Sequence, residues 1–150
     1  MLRFATAAVV LLGSAAWAVA ATPQCLRPNE VEADQAIRFQ TELMVISDTC
    51  GAQTYTHFAR RNRDALVQYQ QQLIEGFRRG GSAHAEERFD AYLTQLANET
   101  SLRMGGQPVA QMCQNAQQLL TTADTMSSAD FRRYVAERAA NGSGERLCRN

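Results

Sequence analysis

The sequence predicts an all-α protein, an up-down-up-down four-helix bundle with a short fifth helix, stapled by disulfides. Three observations lead there. Apolar residues recur with helical spacing along nearly the whole chain, the joints between these stripes are only a few residues long, and four cysteines are available to cross-link them. No segment alternates apolar and polar residues convincingly enough to read as a strand.

The helices follow a leader. Arg3, the apolar stretch Phe4 to Leu12 and the small-x-small site Ala18-Val19-Ala20 read as a secretory signal over residues 1–20, leaving one helical domain at 21–150. The apolar run is alanine-rich, interrupted by Gly13-Ser14 and shorter than the ~20 residues a span needs, so no stable membrane insertion is expected after cleavage. Removing 20 residues from 150 leaves 130, with 14 Arg against 15 Asp plus Glu. This near-neutral balance provides no electrostatic footprint for nucleic acid. All 15 basic residues are Arg, and together with abundant Ala this points to a GC-rich, bacterial genome.

Pro28 and Asn29 open the first helix, with Asn29 as the expected N-cap and Glu32 as its capping-box partner. Ala33, Ala36, Ile37, Phe39, Leu43, Met44, Ile46 and Cys50 share one half of the wheel, and Gly51 stops the helix. From Thr54, the residues Tyr55, Phe58, Ala65, Leu66, Tyr69, Leu73 and Phe77 stay in phase, which predicts one long helix to Arg79. Ser82 caps a third helix to about Arg103 with the stripe Ala85, Phe89, Leu93 and Leu96. Pro108 opens a fourth, whose apolar face is Val109, Met112, Cys113, Ala116, Leu119, Leu120, Ala123 and Met126. Ser127 or Ser128 caps the short fifth helix, Asp130 to about Ala140, presenting Phe131 and Val135. Short loops force antiparallel neighbours, hence the bundle.

Cys25, Cys50, Cys113 and Cys148 all lie in the exported part, and an even number there reads as two disulfides. A helix of about 20 residues, some 30 Å long, separates Cys25 from Cys50, far beyond the ~7 Å reach of a bridge. In an up-down bundle the end of helix one and the start of helix four share an end, which pairs Cys50 with Cys113 and leaves Cys25 for Cys148.

No C-x-x-C, C-x-x-C-H, H-E-x-x-H, G-x-S-x-G, P-loop or acidic calcium loop is present, so no catalytic residue, cofactor or metal is expected. His57 and His84 read as solvated, and Met44 and Met112 as core filler rather than haem ligands. Asn62 falls within the apolar arc of helix two, where its amide must find hydrogen bonds. On helix three, Asp90, Thr94, Asn98 and Ser101 form a polar seam beside the core stripe. The seam is either a solvated face or the lining of a groove facing helix two or the tail, with an Arg neutralising Asp90. The Arg60, Arg61, Arg63 and Arg78, Arg79 groups read as partners of nearby acids.

The segment Leu43-Met44-Val45 through Cys50, followed by Tyr55 and Phe58, and the stretch Asp90-Ala91-Tyr92-Leu93-Thr94-Gln95-Leu96-Ala97-Asn98 with Ser101 resemble a family of small secreted proteobacterial helical proteins of unknown function. The resemblance spans roughly Cys25 to Cys113. It implies an exported bacterial helical protein and carries over no catalytic residue and no ligand. The expected function is non-enzymatic binding of a macromolecular partner, an envelope protein, through a helix face, in the periplasm or after secretion. The alternative is a helical-bundle carrier of a small ligand: haem, a metal or an organic molecule. A hydrolase using Asp90 would need a partner group that the sequence does not reveal.

Overall fold

The structure, a computed structural model, describes residues 25–142 and Cys148. The expected signal peptide lies outside the described residues. Six helices follow one another: α1 (Pro28–Thr49), α2 (Thr54–Arg61), α3 (Arg63–Arg79), α4 (Ala85–Met104), α5 (Val109–Thr125) and α6 (Ser128–Gly142). Among the described residues there is no extended sheet, and no helix is long and apolar enough to cross a membrane.

The first helix starts two residues earlier than the sequence suggests. Pro28 occupies the first helical position and Arg27 is the N-cap. The cause is Glu30, whose carboxylate accepts the Arg27 backbone N–H at 2.7 Å, so Glu30 rather than Glu32 closes the capping interaction. The expected long second helix is divided at Asn62, which adopts φ −105° and ψ 13° between α2 and α3. Its backbone N–H still reaches the Phe58 carbonyl and its carbonyl still accepts from Leu66. The break is therefore a local change of direction, and the apolar phase survives on both sides.

α1 is the hub, packing against every other helix. Its residues Ala33, Ala36, Ile37, Phe39 and Leu43 are all at most 2% exposed. Phe39 is surrounded by rings from other helices, with centroids 5.4 Å to Phe58, 5.9 Å to Phe131 and 4.9 Å to Tyr134. Phe58 and Phe131 meet edge to face at 4.9 Å. These contacts explain why α6 lies along α1 despite its short apolar stripe.

Chain directions follow from which residues meet. Glu30 near the start of α1 pairs with Arg79 at the end of α3, so those helices are antiparallel. Asp34 meets Tyr92, Arg38 approaches Glu99 and Glu42 approaches Arg103, a progression that makes α4 parallel to α1. α5 lies against α2 and the end of α1, and only Met112, Leu120 and Ala123 along it are buried. Val109, expected in its apolar face, is 57% exposed, because it sits one turn before the staple that holds α5 to the end of α1. Within α4 the expected Ala85, Phe89 and Leu96 are buried, and at one position the stripe differs: Tyr92 is 1% exposed and Leu93 only half-buried.

Both expected cysteine pairings are present. Cys25 bonds to Cys148 with Cα atoms 4.8 Å apart, and Cys50 to Cys113 at 5.6 Å.

Candidate functional site

The buried carboxylates among the described residues, Glu30 and Asp34, lie along one row of α1. Glu30, Asp34, Arg38 and Glu42 recur every four residues, and that spacing places them one above another on a single helix face. Glu30 and Asp34 are each 4% exposed. Burial of a carboxylate is costly unless it is paired and hydrogen-bonded, and each has partners. The Arg79 guanidinium grips Glu30, and its Nη2 also donates to the Cys25 carbonyl at 3.4 Å, linking the row to the terminal disulfide. Gly76 makes room: a Cβ there would stand 3.3 Å from the Glu30 carboxyl carbon.

Asp34 is shared by two donors. The Tyr92 hydroxyl donates to Oδ1, and Arg38 Nε donates to Oδ2 at 2.8 Å. Burial works against the Arg38 charge, yet Tyr92, Asp34 and Glu99 outweigh it and hold the guanidinium above its ordinary range. The row then opens into a cavity of about 310 Å³ between α1, α4 and α6, where Glu42 and the Arg103 guanidinium lie 3.8 Å apart.

The expected seam of α4 lies elsewhere. Asp90, Thr94, Asn98 and Ser101 are all exposed. The Thr94 hydroxyl donates to the Asp90 carbonyl at 3.0 Å and the Ser101 hydroxyl to the Ala97 carbonyl at 2.9 Å, both within their own helix. Among the described residues no arginine bridges the Asp90 carboxylate. Ser101 alone of the four reaches an inter-helix feature, a groove of about 570 Å³ whose walls include Met44, Ser47, Gln53 and Tyr55. Met44, expected in the core, is 39% exposed on that groove, which separates the end of α1 from the start of α2 and from Ser101 of α4. Leu102, next to Ser101, is 81% exposed.

Asn62 is fully buried, and its amide donates to the Phe58 carbonyl at 3.0 Å and the Met126 carbonyl at 3.4 Å, while Oδ1 has no hydrogen-bond partner. His57 and His84 are exposed, and His57 Nδ1 lies 2.7 Å from Asp124. Among the described residues no three His, Cys, Asp or Glu side chains are grouped to hold a metal ion.

The apolar periodicity of α1 does not by itself reveal the charged row that runs beside it. The available signal is charged groups of both signs at i, i+4, i+8 and i+12 beside the apolar stripe of α1, since a helix packed against five neighbours has little face left for water. The chain matches no family model, no curated protein and no solved structure.

Proposed function

We propose that this is an exported, non-enzymatic helical protein that binds a macromolecular partner in the bacterial envelope, through the groove between the end of α1, the start of α2 and Ser101 of α4. The observation that carries the reading is the exposure of Met44 on a polar-rimmed groove that Ser101 also lines, with Leu102, the next residue of α4, 81% exposed. Export into the periplasm or beyond is supported by the two disulfides, which persist in oxidising compartments. The family resemblance points the same way. The alternating directions of α1, α3 and α4, with α5 alongside α2, support reading the fold as an up-down bundle in which α6 closes the core.

The test is capture from the native envelope with the oxidised mature chain. Replacing Met44 and Leu102 by Glu should abolish recovery of a partner that the parent chain retains, while melting stays unchanged. Equal recovery by both proteins would sink the reading. If instead replacement of Asp90 and Asn98 by Ala removed the partner, the seam of α4 would be the contact face. A second reading, carriage of a small ligand, is favoured by the arginine-lined cavity on the opposite flank of α4.

A further inference from the structure

We propose that the cavity between α1, α4 and α6 binds a small oxyanion of two or more charges, an organic carboxylate or a phosphate. This deepens the small-ligand reading and rests on it. Arg38, Glu42, Leu96, Thr100, Arg103 and Arg138 line the cavity, so guanidinium groups from three different helices converge on a space of about 310 Å³. That volume is at the small end of ligand sites, and Leu96 is the one apolar side chain in the lining.

The charge balance decides the sign of the ligand. Arg38 is matched by Asp34 at 2.8 Å and lies 3.9 Å from Glu99. Glu42 is 3.8 Å from Arg103, longer than a charge-assisted hydrogen bond, and offsets one of the two remaining cations. Arg138 has no carboxylate partner among the described residues. Its Nη1 donates to the Tyr134 hydroxyl at 2.8 Å and its guanidinium carbon lies 5.6 Å from that ring's centroid, both neutral contacts. Asp34 and Glu99 are not part of the cavity lining, so within the lining three guanidinium groups meet one carboxylate, Glu42, and a bound anion there regains what desolvation removes. Thr100, 4% exposed, accepts from Arg103 at 3.2 Å and can turn its hydroxyl hydrogen toward a ligand oxygen. Planar forks aimed into one space from several directions suit the oxygens of carboxylate or phosphate better than a halide or a cation.

Calorimetric titration of the disulfide-intact chain at constant ionic strength provides the test, with inorganic phosphate in one series and succinate or citrate in the others. Saturable one-to-one binding is expected for at least one probe, weakened at least tenfold in Arg138→Gln and unchanged in Arg88→Gln, an exposed control on α4. Melting of both variants checks that they fold. The probe that binds identifies the source, phosphate or carboxylate. Absence of saturable binding for every probe, or equal binding by a folded Arg138→Gln, overturns the proposal. Mass spectrometry of molecules released from protein purified from its native host separates the two layers. A neutral or cationic organic molecule released from a protein that binds no oxyanion would overturn the oxyanion and keep the carrier, and release of nothing from a protein that also binds no oxyanion would overturn both.

Discussion

Gly76 shows how a single position can set two effects against each other. Replacing a mid-helix Gly by Ala ordinarily gains about 1 kcal/mol from backbone entropy. Here the new methyl would meet the Glu30 carboxyl group, with contacts of 3.3 and 3.4 Å. Glu30 cannot yield easily, because Arg79 and the Arg27 N–H both hold it. Disturbing a buried pair costs up to several kcal/mol, so Gly76→Ala is expected to lose about 1–2 kcal/mol net in a urea titration. A gain in stability would show that the pair gives way freely. Ser127 offers a second test at this scale. Its hydroxyl donates to Asp130 at 2.6 Å and accepts the Asp130 N–H at 3.2 Å. The hydrogen bond from Ser127, with help from Arg133, holds the Asp130 carboxyl below its ordinary value near 3.8. A depressed folded pKa contributes stability above the unfolded value, and that contribution is lost as pH falls through the folded pKa. In Ser127→Ala the Asp130 titration followed by NMR should move back up toward 3.8. The cap itself is worth about 1 kcal/mol.

Asn62 governs the path of two elements. It stands where α2 turns into α3, and its amide reaches the Met126 carbonyl at the end of α5. The same junction is tied by Arg61, which donates to the Asp124 carbonyl at 2.7 Å, and by Ser128, which donates to the Arg61 carbonyl at 3.2 Å. Asn62→Leu leaves the Met126 carbonyl without this donor, while the Phe58 carbonyl keeps the backbone N–H of residue 62, and is expected to cost about 1–3 kcal/mol. Asn62→Asp removes the same donor and adds a buried charge facing two carbonyl oxygens, so its thermal midpoint should fall further than that of the leucine variant. The opposite order would mean that packing, rather than the amide, holds the junction. Sequence periodicity made the apolar faces of α2 and α3 visible. It could not register the turn between them, because Phe58, Leu66 and Tyr69 remain in phase across it. The buried amide was nevertheless legible as an oddity in an apolar arc. The α4 seam, read from the same kind of pattern, proved to face water. Its neighbours Tyr92 and Thr100, one or two positions away, are the ones that meet α1 and the cavity. Periodicity fixes a helix's apolar face to within about one residue, which is enough to place a helix and too coarse to assign which polar neighbour enters the interior.

For the molecule as a whole, the two disulfides make the fold depend on oxidation, to different degrees in different places. In the chain-entropy account the Cys50–Cys113 bond, closing a separation of 63 residues, is worth about 4 kcal/mol, and Cys25–Cys148, closing 123, about 5 kcal/mol. Their sum rivals the whole stability of an ordinary domain, so full reduction should leave a largely unfolded chain. The connectivity was accessible from sequence because the length of α1 excluded one pairing and the end shared by α1 and α5 favoured another. The uneven burial was not, since α5 has as clean an apolar stripe as any helix yet buries only Met112, Leu120 and Ala123. A helix with so little packing relies on its covalent tie. Replacing Cys50 and Cys113 together by Ser should therefore lower the melting temperature by roughly 15 °C. It should also release α5 selectively in hydrogen exchange. α5 amides would lose most of their protection, while those of α1 and α3, joined by the Glu30–Arg79 pair and through Phe131, which meets both Phe39 and Tyr69, would keep theirs. Replacing Cys25 and Cys148 should instead loosen the start of α1, where Arg79 and the terminal bridge meet. Uniform loss of protection along the chain in both variants would show that the helices open as one unit and that α5 is held by its packing after all.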